Sequence, residues 1–85
     1  MIELDNRYPQ RVIFKPGKQR EFILNIKNKL GFKIDKIAEL IDVNSRTLRD
    51  WKREKFSMSL PALKTLCKLA GITIPSDIEI KEPFW

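Results

Sequence analysis

The stretch Ile34-Asp35-Lys36-Ile37-Ala38-Glu39-Leu40-Ile41-Asp42-Val43-Asn44-Ser45-Arg46-Thr47-Leu48-Arg49-Asp50-Trp51-Lys52-Arg53 decides how this chain folds. Ile34, Ile37, Ala38 and Ile41 recur at three- and four-residue steps, the spacing that gathers them on one side of a helix. Asp35 falls in the first turn, where the helix dipole favours a carboxylate. After Asp42-Val43-Asn44 the pattern restarts: Asn44 or Ser45 is placed to cap a second helix over 45–54, in which Leu48, Trp51 and Lys55 share a face. Two short helices are thus expected about a tight turn. Small Ala38 allows them to cross closely, and Val43 puts an apolar residue just past the turn.

Reading outward, Phe22, Ile23, Ile26 and Leu30 mark a helix from Lys18 to Leu30, with Gly31 as its stop. On the other side Lys55 to Met58 reads as loop. Ser59-Leu60-Pro61 then opens another helix, with Ser as cap and Pro in the first turn. Its apolar stripe is Leu60, Leu63, Leu66, Cys67 and Ala70, and Gly71 ends it. Arg11–Lys15, bracketed by Pro9 and Pro16-Gly17, reads as a brief strand, and the alternation Ile78-Glu79-Ile80-Lys81 suits a partner for it. The expected architecture is mainly α, with four or five helices and a small two-stranded β pairing. Residues 34–54 form its centre, with 1–17 and 75–85 peripheral. Phe84-Trp85 close the chain with two bulky aromatics, which usually pack on something.

At 85 residues the chain has room for one domain, and its seventeen Lys/Arg against eleven Asp/Glu give a net charge of +6 with no His. The absence of His removes the usual general base. A single Cys closes no intramolecular disulfide and falls short of the about four ligands that a structural zinc requires. No Gly-rich phosphate loop is present, so neither catalysis, a cofactor, a metal nor a small-molecule substrate is expected. Nothing approaches the roughly 18 apolar residues of a membrane helix, and Met1-Ile2-Glu3-Leu4-Asp5 lacks the layout of a secretory signal. A cytoplasmic protein without a membrane partner is the expectation. Its basic surplus attracts polyanions.

Two helices about a three- or four-residue turn, with a basic second helix, are the parts of a helix-turn-helix. The stretch resembles the helix-turn-helix of the phage-repressor family, the lambda repressor-like domains. The likeness continues into Ser59-Leu60-Pro61-Ala62-Leu63-Lys64-Thr65-Leu66 and covers roughly Gln19 to Ile74. It implies sequence-specific binding of double-stranded DNA, with the second helix in the major groove, and a role in transcription regulation. The chain departs from the family at two places. Asp42 stands where Gly is frequent, so a left-handed turn there carries strain. Ile34 replaces the usual polar phosphate contact, which moves that task to Lys33 or Lys36. The portion Leu48-Arg49-Asp50-Trp51-Lys52 is equally similar to the helix-turn-helix of transposases and homing endonucleases.

At about 100° per residue, with Leu48 and Trp51 inward, Arg46 and Arg53 lie nearly opposite the core and Arg49 and Asp50 to either side. Ser45 and Thr47 lie toward the N-terminal flank. Arg49 and Arg53, like Arg46 and Arg49, are like charges at helical spacing, which weakly destabilise a helix that has no anionic partner. Ser45, Arg46, Thr47, Arg49, Asp50 and Arg53 are therefore expected at bases or nearby phosphates, and Lys33, Lys36, Lys52 and Lys55 on the DNA backbone. Asp50 is expected to orient Arg46 or Arg53, or else to accept from a cytosine amino group. Trp51 reads as core rather than as a stacking platform, and Cys67 as a small buried hydrophobe. Lys15, Lys18 and Arg20 suit either phosphate contact or solubility, and the amides near Gln19 at the start of the first helix are a further candidate for phosphate. A solvated charged face is the plain alternative for the arginines. Other readings are an antitoxin-like protein-interaction module using Phe84, Trp85 or the β edge, and the DNA-reading part of a longer homing endonuclease or recombinase. RNA binding ranks last, because the A-form major groove is too narrow for side chains to read. A homodimer on a palindrome and a monomer on an asymmetric site both remain open.

Overall fold

The Pro16-Gly17 turn lets the chain leave a short strand and enter its longest helix. In the computed structural model, which describes residues 10–81, strand β1 is Arg11–Ile13 and helix α1 is Lys18–Leu30. Helix α2 spans Ile34–Leu40, α3 spans Ser45–Lys52, α4 spans Leu60–Ala70, and strand β2 is Glu79–Lys81. Four helices and a two-stranded antiparallel sheet result, with Arg11 opposite Lys81, Val12 opposite Ile80 and Ile13 opposite Glu79. No fifth helix occurs among the described residues. Phe84 and Trp85 lie outside them.

The expected apolar stripes meet in one core. Phe22, Ile23 and Ile26 of α1, Ile34, Ile37 and Ala38 of α2, Leu48 and Trp51 of α3, and Leu60, Leu63 and Leu66 of α4 are all buried. Helix α3 packs on both α1 and α2, while α4 packs on α1 and β1. Outside the helices Ile41, Val12 and Met58 join the core, and Val12 and Met58 have no exposed surface. Val12 and Met58 are tied together, since the Val12 amide donates to the Met58 carbonyl at 2.9 Å and the Leu60 amide to the Gln10 carbonyl at 2.8 Å. The loop expected over 55–58 thus ends in a short extended pairing with the far edge of β1.

Helix ends show which residues set the boundaries. Gly31 and Gly71 adopt left-handed φ of 73° and 67°, the conformation that ends a helix and that only glycine takes without strain. Asn44 is the cap of α3, its Oδ1 accepting from the Arg46 amide at 2.8 Å. Ser59 occupies the cap position of α4, but its side chain makes no capping bond. Pro61, the second residue of that helix, has no N–H to offer, which removes one of the two donors such a cap uses. Helix α3 is also shorter than the expected 45–54, stopping at Lys52 because Glu54 turns to a left-handed φ of 61°.

Candidate nucleic-acid interface

Two tight turns hold α3 at its ends. Before it, Asp42 takes φ 57°, as its place in the turn suggested, while the Val43 amide reaches back to the Ala38 carbonyl at 2.9 Å and the Asp42 amide to Glu39 at 3.2 Å. After it, the Lys55 amide reaches Asp50 at 2.9 Å and the Glu54 amide reaches Trp51 at 3.0 Å. Both are the paired closing bonds of a Schellman turn, with an acidic residue in the place that normally favours glycine. Beneath the helix, Leu48 is completely buried and Trp51 is 4% exposed, so Trp51 offers no free ring face to a base.

On the opposite side Arg46, Arg49 and Arg53 are exposed, with Ser45, Thr47, Asp50 and Lys52 half-buried along the flanks. Arg53 is the residue that caps α3 rather than part of its last turn. Lys33 and Lys36 are exposed at the start of α2, whose first residue, Ile34, is buried and contributes nothing polar. Lys55 does not continue the Leu48–Trp51 face; it lies in the following loop with its Nζ 5.8 Å from the centre of the Phe56 ring. Lys33 and Lys36 thus stand in sequence on either side of Asp35 at the start of α2, whereas Lys55 stands beyond the end of α3.

The structure corrects the expected partner of the arginines. It is Asp35 of α2, not Asp50, that binds one of them: Arg49 Nη2 lies 2.5 Å from Asp35 Oδ1, and both side chains are largely exposed. Asp50 makes no ion pair with Arg46 or Arg53 among the described residues. Sequence spacing could not expose this pair, because 14 positions separate its members and only the packing of α2 on α3 brings them together.

A second correction concerns α1. Its first amides are not open to a phosphate, since Glu54 Oε1 accepts from the Gly17 amide at 2.9 Å and Glu54 Oε2 from the Arg20 amide at 3.0 Å. Those two donors, Arg20 first, hold the Glu54 carboxyl below its ordinary range. Nearby, Gln19 is buried; its Nε2 donates to the carbonyls of Trp51 and Phe56, each at 2.8 Å, and its Oε1 accepts from the Met58 amide at 3.2 Å. All three amide hydrogen-bonding groups are used, so this polar side chain is buried without loss. Gln19 and Glu54 together bind the end of α3 to the start of α1. One signal of this was legible: Pro16-Gly17 supplies α1 with no capping side chain, which leaves its first amides for a distant acceptor.

Of the remaining candidates, Lys18 pairs with Glu21 at 3.5 Å, and Lys15 and Arg20 are exposed. Cys67 is buried on α4, and burial pushes its thiol pKa up. No helix among the described residues is long and apolar enough to cross a membrane. Comparison of the chain with protein families, with characterised proteins and with solved structures finds no match.

Proposed function

We propose that this domain binds double-stranded DNA through α3, in the manner of a lambda repressor-like helix-turn-helix, and serves inside the cell as a transcriptional regulator. The observation that carries the reading is the exposed row Arg46, Arg49 and Arg53 on a helix whose opposite face is fixed in the core by Leu48 and Trp51. A rigid helix presenting guanidinium groups suits the major groove, where arginine takes the O6 and N7 edge of guanine with two hydrogen bonds. The net charge of +6 supplies long-range attraction to the duplex.

In this reading Arg46, Arg53, Ser45, Thr47 and Asp50 meet bases or adjacent phosphates. Arg49 is held ready by Asp35, and Lys33, Lys36, Lys52 and Lys55 engage the DNA backbone. The first group discriminates sequence and the lysines set affinity and its salt dependence.

The test is fluorescence anisotropy of a labelled random-sequence duplex titrated with the chain over a range of salt, beside an Arg46→Ala/Arg49→Ala/Arg53→Ala variant whose fold is checked by circular dichroism. Three lost phosphate or base contacts are expected to weaken binding at least tenfold and to reduce the salt slope, at about 0.9 per phosphate contact. A folded variant that binds as tightly as the wild type removes α3 from the interface.

A further inference from the structure

Helix α3 has two flanks, and only one of them faces α2. There Arg49 reaches Asp35. On the other flank Thr47 and Trp51 form one wall of a groove of about 420 Å³, and Arg11, Ile13 and Lys81 of the β ribbon form the other. We propose that this outer face of the β1–β2 ribbon is a second phosphate-gripping surface, which holds the DNA strand on the side of α3 away from α2. The inference rests on the DNA reading of α3 and adds a contact surface to it.

Strand geometry directs these side chains outward. Successive residues of a strand point to opposite faces, and Val12 is completely buried, so Arg11 and Ile13 take the other face. Lys81 is the cross-strand partner of Arg11, which places two cations side by side. An anion set between two cations on one face meets N–H donors from both, and hydrogen bonds of this charge-assisted kind are the strong ones. Arg11 Nη1 donates to the Ser57 carbonyl at 3.3 Å, and Ser57 lines the same groove, so the guanidinium is held on the α3 side of the ribbon. That bond uses one of its five N–H donors. Glu79 shares the outer face as partner of Ile13 but does not line the groove.

The dimensions agree. A helix with its side chains is about 10–12 Å across, and the major groove is about 12 Å wide, so a seated helix has a sugar-phosphate backbone along each flank. Lys33 and Lys36 on α2 address one backbone. Arg11 and Lys81 are placed to address the other.

The test compares salt slopes for the same labelled duplex among wild type, Arg11→Gln/Lys81→Gln, Lys81→Gln alone, and the triple-arginine variant of α3. The double variant is expected to lose about 1.8 from the slope, at about 0.9 for each phosphate contact, and to weaken binding to every duplex by the same factor. The single variant should lose about half as much; it decides the matter if the double variant proves unfolded. If the ribbon variants keep the wild-type slope while the triple-arginine variant loses binding, the ribbon proposal is overturned and α3 stands as the interface. If the triple-arginine variant also binds like wild type, or the wild type binds no duplex, both readings fall.

Discussion

At the end of α2, Asp42 takes a φ of 57°, and at the end of α3, Glu54 takes 61°; in each turn two backbone amides reach back to close the helix. The turns differ in what the acidic side chain does. Asp42 is exposed and makes no side-chain hydrogen bond among the described residues, and its turn is closed by its own backbone with Val43 packed on the core. Glu54 spends both carboxylate oxygens on the start of α1. A turn that only joins two neighbouring helices needs local bonds alone. A turn that must also set α3 against α1 commits its own acidic side chain to backbone amides far away in the sequence.

The most severe way to break the second turn is through Gln19. In Gln19→Ala, the carbonyls of Trp51 and Phe56 and the amide of Met58 lose their partner, at about 1–3 kcal/mol for each polar group left buried and unsatisfied. Partial access of water at Phe56 brings the expected total to about 3 kcal/mol. A fall in the urea midpoint with unchanged slope is the outcome to look for. An unaltered midpoint would mean that the end of α3 stands without this anchor.

Replacing each acidic residue by glycine sharpens the comparison, because the two signs should differ. Asp42→Gly relieves about 1 kcal/mol of left-handed strain, offset by about half through the greater freedom of glycine in the unfolded chain, so its midpoint should rise slightly. Glu54→Gly relieves similar strain but strips α1 of its cap, and its midpoint should fall. Two rises would reduce Glu54 to the same passive role as Asp42.

The smallest effect is expected from acid titration of Glu54. Its folded pKa lies below the ordinary 4.5, so its contribution is complete above that value and is lost as pH falls through the depressed one. Thermal melts of wild type and Glu54→Gln should therefore differ at pH 7 and converge in acid below 4.5. A gap that is constant with pH would trace the bond to shape rather than to charge.

The same contrast explains what could be read from the sequence. Helices α1 and α4 end where Gly31 and Gly71 stand, because glycine announces a left-handed residue locally. The exposed arginines and the buried Leu48 and Trp51 follow from helical spacing alone, and the alternation through Ile80 reveals β2. Glu54 does not announce its turn, since the bonds that sustain it come from Gly17 and Arg20, more than thirty positions away. Asp35 beside Arg49, Gln19 beneath Trp51 and Met58 against Val12 are likewise products of packing between elements. The arginine face was legible, whereas the bonds that aim it were not.

Cys67 is the one cysteine of the chain, and its Sγ is enclosed on α4 beside the Thr73 carbonyl at 3.8 Å. A thiol that is both unique and shielded reacts with an alkylating reagent only when the structure around it opens. The protein thus contains its own clock for core opening. Labelling rates taken with and without a bound duplex would measure how far a ligand on α3 steadies a helix that it does not touch.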